Sequence, residues 1–304
     1  MRMERRDFLR ILLGTSTGLL LSPLGSLWPG QEIQAASTGS ELAVATGPIP
    51  SRTVAAAIAA LGGIKRFIRA GDVVVVKPNI GWDRSPEQAA DTNPEVVAAI
   101  VALCLETGAK RVKVFDNCIN DPYRCYTRSG IAEAAKRAGA EVSYMDPGKF
   151  KEMKIAGEAL KSWPIYTEAL EADKLINVPI AKQHGLSKLT MGLKNWMGAI
   201  GGRRSLIHQQ IDAALADLAT VFKPQLVILD ATRILLRNGP QGGSPSDVRV
   251  ANTIVAGVDQ VAVDSYGATL FGLKGRDLGY LQKAHERGLG QLDYRLLKVK
   301  SGKA

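Results

Sequence analysis

The chain has 304 residues, 46% of them hydrophobic and 22% charged, and a formal net charge of +10 at neutral pH. This composition is ordinary for a globular protein with a full hydrophobic core and excludes a chain too polar to fold. The length is enough for one large domain or two small ones. A basic protein of this kind has nucleic acid, an anionic membrane surface or a small anionic ligand as its candidate partners.

The first 36 residues resemble a twin-arginine export signal. Residues 5–10 read Arg-Arg-Asp-Phe-Leu-Arg, and an apolar run diluted by Gly and Ser follows over 11–28. Ala35 and Ala36 stand where cleavage would fall. We therefore expect a signal peptide over 1–36, recognition by the twin-arginine translocase, and a periplasmic or other extracytoplasmic location. An uncleaved membrane tether is the alternative. Export argues against nucleic acid as a partner.

Short β-rich runs alternate with helical patterns along the rest of the chain. The run 72–77, Asp-Val-Val-Val-Val-Lys, is typical of a strand buried on both faces. A helix follows, with Asn93 as its N-cap, Pro94 in its first turn and Gly108 as its stop. Further strands are predicted at 42–46, 111–115, 141–144, 174–178, 225–229 and 251–256, and further helices at 130–139, 211–222 and 260–271.

Strands separated by helices predict the fold class. We expect one α/β domain over 41–294 with a mainly parallel sheet and helices on both faces, in a Rossmann-like three-layer arrangement. Residues 295–304 are predicted to be a basic, frayed tail.

Polar residues stand where the predicted strands end. In chain order they are Lys77, Asn79, Asp116, Lys182, His184 and Asp230. Ligands of open parallel sheets bind beyond the carboxyl ends of the strands, so we expect these side chains to converge on one crevice. A strand-end Asp or Asn is also a routine loop cap, and that alternative stays open for each residue taken singly.

The segment 174–211 contains no Asp or Glu but holds six Lys or Arg residues and two of the three histidines. Glycine lets a backbone approach a ligand closely, and Lys and Arg neutralise an anion. A phosphate or carboxylate site is therefore predicted, with a solvated basic face or a lipid-binding patch as alternatives. The spacing is neither a P-loop nor a dinucleotide fingerprint. The residues assigned to this site are Thr190, Lys194, Asn195, Gly198 and Arg203, together with the strand-end residues above.

His184 and His208, with Lys182, are the candidate catalytic residues, because an imidazole titrates near neutral pH and can transfer protons. A divalent metal held by the two histidines with Asp116 or Asp230 is an alternative. A nucleotide-type cofactor is another.

Three cysteines are too few to ligate an iron–sulfur cluster in the usual way, so no such cluster is expected from this chain. Cys104 lies in an apolar helical run and is predicted to be in the core. Cys118 and Cys125 flank a polar loop, where a disulfide and two free thiols are equal alternatives in an oxidising compartment.

Taken together, the motifs resemble the domain of unknown function 362 family over about residues 42–292. The resemblance is carried by Lys77-Pro-Asn79, Asn177-Val-Pro179, the run 190–198 with Lys194 and Gly198, Pro224 to Asp230, and Asp259 to Asp264. It implies the fold and the strand-end crevice more than it implies a reaction.

A fainter similarity points to the nickel-pincer lactate racemase superfamily. It is carried by Lys182-Gln-His184, by Gly192-Leu-Lys194 and by the downstream His208. This similarity implies a preloaded nickel–nucleotide cofactor and proton or hydride exchange at a hydroxy-acid carbon.

The predicted function is thus an exported soluble protein that binds an anionic small molecule, or a phosphorylated or metal cofactor, in the strand-end crevice. An oxidoreductase or a racemase-like enzyme is one form of this hypothesis. A non-catalytic periplasmic binding or assembly factor is the alternative, and a homodimer is left open.

Overall fold

The computed structural model describes residues 41–304, so the predicted signal peptide lies outside the described residues. The strands are β1 Glu41–Thr46, β2 Val73–Pro78, β3 Arg111–Val114, β4 Glu141–Val142, β5 Phe150–Lys154, β6 Ser162–Tyr166, β7 Lys174–Val178, β8 Ile180–His184, β9 Lys188–Thr190, β10 Leu226–Leu235, β11 Val248–Gly257 and β12 Lys298–Lys303. The helices are α1 Pro50–Ala60, α2 Pro94–Glu106, α3 Pro122–Arg128, α4 Ile131–Arg137, α5 Glu168–Glu171, α6 Gly192–Asn195, α7 Ile211–Val221, α8 Gln260–Thr269 and α9 Gly279–Glu286. Within 41–304, no helix is both long and apolar enough to cross a membrane.

One large sheet has the strand order β12-β1-β11-β10-β7-β2-β3-β4, and β8 pairs with both β10 and β9. The run from β10 through β7, β2 and β3 to β4 is parallel throughout. Strand β11 is antiparallel to both of its neighbours, β1 and β10. The α/β class and the mainly parallel sheet predicted from the sequence are confirmed. Strands β5 and β6 form a separate antiparallel hairpin.

Helices cover both faces of this sheet. Val75 of β2 belongs to a core that includes Leu215 of α7, whereas Val74 and Val76 belong to the opposite core with Val97 of α2. Successive side chains of a strand point to opposite faces, so a continuous valine run must be buried from both sides. The predicted three-layer arrangement is confirmed.

The start of helix α2 follows the predicted capping pattern. The Asn93 side chain accepts a hydrogen bond from the amide of Glu95, and Pro94 occupies the first turn. Gly108, just beyond the helix, has a φ of 92°, a conformation that glycine adopts without strain.

The prediction of a frayed tail is wrong. Residues 298–303 form β12, which pairs in parallel with β1 along its whole length. Lys300 of β12 also forms an ion pair with Glu41 at 2.7 Å. Backbone pairing does not require apolar side chains, and lysines are typical of edge strands, which is why the basic composition of this segment concealed a strand.

A second departure concerns the residues after Pro179, which the sequence indicated only as a polar strand end. The chain continues there as β8, which pairs with β10 in an irregular register and turns back through β9. Lys182 and His184 are therefore held on a strand. A strand positions side chains more rigidly than a loop does.

Asp217 in α7 joins that helix to a loop and to α9. Its buried carboxylate accepts hydrogen bonds from three consecutive backbone amides, residues 158–160, at 2.7–2.9 Å, and it pairs with Arg287. Burial alone would raise its pKa, but the hydrogen bonds from the Leu160 amide and from Arg287 hold the pKa below its ordinary value. The folded state therefore prefers the ionised carboxylate.

We expect Asp217→Asn to lower the free energy of unfolding by about 2–4 kcal/mol at neutral pH, because it leaves Arg287 and a backbone amide with a weaker acceptor. A lowered pKa stabilises the fold above the unfolded value and loses that effect as the pH falls. The difference from wild type should therefore shrink on acidification. Urea denaturation at several pH values measures this, with Glu106→Gln, which changes an exposed carboxylate, as control. Equal losses in both variants would contradict this account.

Candidate functional site

A cavity of about 240 Å³ opens at the carboxyl ends of β2, β3 and β8. Nine of the residues singled out from the sequence line it: Asn79, Asp116, Lys182, His184, Thr190, Lys194, Asn195, Gly198 and His208. The convergence expected from parallel strand ends is therefore present in the folded chain.

Three other predicted site residues lie elsewhere. Lys77 sits beneath the cavity with no exposed surface. Arg203 is exposed, and its neighbour Arg204 is the residue that reaches the cavity. Arg204 is held there by hydrogen bonds from its guanidinium to the backbone carbonyls of Asn117 and Cys118.

Asp230 was predicted to belong to the site, and that prediction is wrong. The residue instead caps neighbouring backbone, which was the alternative for a strand-end Asp. One of its carboxylate oxygens accepts from the Asn93 amide at 2.7 Å, and the other accepts from the amide and the hydroxyl of Thr232 at 2.9 and 2.7 Å. The residue therefore fastens β10 to the start of α2 and does not line the cavity.

The floor of the cavity is a buried ion pair. Lys77 Nζ donates to Asp116 Oδ1 at 2.6 Å, and the other Asp116 oxygen accepts from the Ile80 amide at 2.6 Å. Lys77 also donates to Asn195 Oδ1 at 3.2 Å. Burial lowers the pKa of Lys77 and Asp116 opposes that effect. The pair links the ends of β2 and β3 to α6.

Gly198 is the residue that lets the chain pass over this pair. A Cβ atom at this position would lie 1.8 Å from Asp116 Oδ1 and 2.6 Å from Lys77 Nζ. The sequence predicted that the lack of a side chain at Gly198 lets the backbone approach a ligand closely. The structure shows that the space is used by the side chains of the ion pair, while the Gly198 backbone still borders the cavity.

Asn195 connects the amide groups around the floor. Its side-chain nitrogen donates to Asn177 Oδ1 at 2.8 Å, and its oxygen accepts from Asn79 at 3.1 Å as well as from Lys77. Asn79 Oδ1 in turn accepts from Lys182 at 3.0 Å. Both polar atoms of each side chain are thus occupied, and a satisfied network of this kind is rigid.

Lys182 and Lys194 bring two more amines to the cavity. Lys182 also donates to the carbonyl of Ala90, and burial lowers its pKa although Asp91 lies near enough to raise it. Lys194 is 6% exposed, and within residues 41–304 the one hydrogen bond of its amine is to the sulfur of Met197, at 3.1 Å. Burial lowers the pKa of Lys194 to about 7.

His184 has a fixed tautomer. Its Nδ1 accepts hydrogen bonds from the amides of Leu186 and Ser187 at 3.1 and 3.2 Å. An Nδ1 that accepts cannot carry a proton, so the neutral ring carries its hydrogen on Nε2. Burial, with Lys194 nearby, lowers the pKa of His184 to about 3. His184 is therefore a hydrogen-bond donor and not a base at ordinary pH.

His208 lies parallel to His184, with ring centroids 5.8 Å apart and planes 12° from each other. It is half-buried, and burial lowers its pKa. Hydrogen bonds with the backbone of Ser205 and Arg204 act in the opposite direction and favour the protonated ring. His208 is therefore the imidazole of the site that can gain and lose a proton.

The sequence analysis did not assign several lining residues to the site, among them Trp82, Met197 and Pro240. They carry no charge, so the charge pattern of the sequence did not mark them. Arg204 had a signal, since it lies in the basic segment. Its guanidinium donates to the carbonyls of Asn117, Met197 and Cys118 at 2.6–3.1 Å, which holds the loop after β3 against the run 196–199.

The metal alternative finds little support in this geometry. Among residues 41–304, no three His, Cys, Asp or Glu side chains are arranged to hold a metal ion. Asp230 lies outside the cavity, and His184 has only Nε2 facing it, as a donor. The volume of the cavity is also below the roughly 300–1,000 Å³ typical of sites for drug-sized ligands.

The three cysteines are all buried and free, including Cys104 in α2 as predicted. A hydrogen bond with the Cys125 thiol and burial raise the pKa of Cys118. The structure thus has two neighbouring thiols, and not a disulfide, behind the loop that follows β3.

We expect Gly198→Ala to lower the free energy of unfolding by about 3–5 kcal/mol, because the new methyl group must separate Lys77 from Asp116 and leave buried charges unpaired. Gly185→Ala is the matched control, since a Cβ there meets nothing within 4 Å and the residue has no positive φ. Thermal denaturation of both variants measures the difference. If the two melt together with wild type, the ion pair does not depend on a bare backbone at this position.

Comparison with known proteins gives three findings. The family model described as "Domain of unknown function (DUF362)" matches residues 74–269. A thylakoid-associated protein of Synechocystis sp. is 29% identical over 212 residues, which cover 67% of this chain. The match spans 64% of that relative, so the chain covers less than two thirds of its length.

Among solved structures, a Thermotoga maritima protein aligns with a TM-score of 0.48 and 11% identity, over 75% of this chain and 60% of its own. The lactate racemase apoprotein of Thermoanaerobacterium thermosaccharolyticum aligns with a TM-score of 0.34 and 12% identity, over 81% of this chain and 55% of its own.

The family match is of a different kind. It runs from β2 to the end of α8 and covers more than half of the chain, including the ion pair, the basic segment and both cavity histidines. The motifs around Lys77, Lys194 and Asp230 had indicated the same relationship. The chain belongs to the DUF362 family.

Proposed function

We propose that this protein binds a small organic carboxylate in the strand-end cavity and acts on it by proton transfer. The observation that carries the proposal is the amine of Lys194. It is buried in the cavity and, within 41–304, has no carboxylate partner. A buried ammonium without a counter-ion is costly, and an anionic ligand supplies the missing charge.

The charges around the cavity favour an anion. Four cationic side chains lie at or beneath it, namely Lys77, Lys182, Lys194 and Arg204. Two carboxylates, Asp116 and Asp91, accompany them. Asp116 is committed to Lys77, and burial raises the pKa of Asp91 to about 7. The site therefore has a net positive charge at neutral pH. A low-dielectric surrounding strengthens its attraction for an anion.

The size of the cavity favours a small ligand. Its volume of about 240 Å³ suits a short organic acid more than a nucleotide or a sugar phosphate. Thr190 lines the cavity, and its buried hydroxyl oxygen has no hydrogen-bond partner in the part of the chain that the structure describes. Such a hydroxyl is expected to meet a polar ligand atom, because buried polar groups are otherwise paired.

The two histidines suit different parts of a reaction. His184 presents an N–H that can stabilise negative charge on a ligand oxygen without ionising, and His208 can accept or return a proton beside it. The same arrangement is compatible with a racemase-like exchange at the carbon next to the carboxylate. A binding factor that performs no chemistry would use the same contacts and show no turnover.

The location of this activity rests on residues 1–36. We propose export through the twin-arginine pathway, with the folded cavity delivered outside the cytoplasm.

We expect lactate, glycolate and malonate to raise the melting temperature of the wild-type protein. Lys194→Met should weaken their binding about ten- to a hundredfold, since a charge-assisted hydrogen bond contributes about 1.5–3 kcal/mol. Affinity should also fall as the pH rises through about 7, where Lys194 loses its proton. In Lys194→Met that pH dependence should be reduced. Calorimetric titration measures both effects.

Arg203→Gln is the matched control for this experiment, because it also removes one positive charge from the same segment but lies on the surface. Its affinity and pH profile should remain those of wild type. If none of the acids stabilises the wild-type protein, or if both variants lose affinity equally, the cavity is not the anion site.

Replacement of Arg5 and Arg6 by lysine should keep the full-length precursor in the cytoplasm, because the twin arginines are the recognised feature of the proposed signal. Cell fractionation with an antibody to the protein measures this, and Arg2→Lys is the control outside the arginine pair. Unchanged export of the double variant would remove the transport proposal.

A further inference from the structure

Lys194 differs from the other two lysines of the site in what its amine contacts. Lys77 is paired with Asp116, and Lys182 donates to Asn79 and to the carbonyl of Ala90. Among residues 41–304, the Lys194 amine has the thioether of Met197 as its one hydrogen-bond partner. A thioether is a weak acceptor and leaves the nitrogen available.

We propose that Lys194 is a nucleophile that forms an imine with the carbonyl carbon of a small 2-oxo acid. The inference rests on the proposed carboxylate site and names its substrate class. Lys194 lines the cavity together with residues that can donate to a carbonyl oxygen and with the cations that a carboxylate requires.

The surroundings of Lys194 favour its neutral form. The residue is 6% exposed, and the charges of Lys182 and Arg204 add to the effect of burial. A lysine becomes a useful nucleophile when it is desolvated or placed next to another cation, because only the unprotonated amine has a free electron pair. Both conditions hold here.

The step is balanced within the site. The nitrogen lone pair attacks the carbonyl carbon, a C–N bond forms, and the former carbonyl oxygen gains a proton to give a carbinolamine. The nitrogen then loses its extra proton. The hydroxyl takes up that proton by way of His208, the C–O bond breaks as water leaves, and a protonated C=N bond remains. No oxidant or reductant takes part, and addition of water reverses the reaction.

Two hydrogen-bond donors of the cavity have no acceptor within the described chain and can donate to the substrate oxygen in this step. His184 has its Nε2–H free because Nδ1 is held by two backbone amides, and the Thr190 hydroxyl is unpartnered. Both line the same cavity as Lys194. A protonated imine withdraws electrons from the adjacent carbon, so His208 would have an acidic C–H to act on.

The carboxylate of the 2-oxo acid accounts for the remaining charge. Once Lys194 is neutral or joined to the substrate, Lys182 and Arg204 still supply positive charge at the cavity wall. A simple aldehyde or ketone has no anionic group to pair with these cations. The acid group therefore selects the substrate, and the carbonyl group reacts.

The test is reductive trapping on the full-length protein. Wild type, Lys194→Met and Lys154→Met are incubated with pyruvate and sodium borohydride, digested and mapped by mass spectrometry. Lys154 is exposed and serves as the surface control. We expect one adduct on Lys194 in wild type and in Lys154→Met. The trapped fraction should fall by about tenfold or more in Lys194→Met, because methionine has no amine to form the imine.

Lactate, which has no carbonyl to react, is titrated in parallel to separate the two proposals. Lactate binding without an adduct on Lys194, or adducts spread over surface lysines in all three proteins, would overturn the imine and leave the carboxylate site standing. If neither acid binds, the proposed function fails and the imine fails with it.

Discussion

The ion pair between Lys77 and Asp116 is the interaction on which the site depends. It joins the ends of two neighbouring parallel strands, and through Asn195 it reaches the short helix α6. Charges buried so completely are tolerated only when each is paired and hydrogen-bonded, and here Ile80 and Asn195 complete the set. The bare backbone at Gly198 is a consequence, since the pair occupies the volume that any side chain would need.

The Lys77–Asp116 ion pair beneath the cavity leaves the Lys194 amine without a carboxylate partner among the described residues. Because Asp116 is committed to Lys77, it does not neutralise Lys194, which lies in the same cavity. The fold thus places one buried amine against a sulfur atom and not against a carboxylate. Such an arrangement costs stability, and proteins keep unfavourable contacts of this kind mainly where a ligand or a reaction uses them.

The parts of the fold that the sequence predicted are those determined by local chemistry. The valine run of β2 had to be buried on two faces, and Asn93 and Pro94 are sufficient to start α2 wherever it packs. Strands β8 and β12 escaped prediction because they are polar and exist only through pairing with distant strands. It is likewise Arg204, and not Arg203, that lines the cavity, because Arg204 is held by the carbonyls of Asn117 and Cys118, which are distant in sequence.

The difference between the two histidines shows what three-dimensional contacts add to a correct residue list. Both were candidates for acid–base chemistry, and both reach the cavity. The tight turn after His184 directs two amides at one ring nitrogen, which fixes the tautomer and removes the residue as a base. A neutral donor of this kind stabilises charge on oxygen without competing for the proton being moved. In the proposed reaction His208 is then the group that exchanges protons, and the difference between the two rings follows from their hydrogen bonds and their burial.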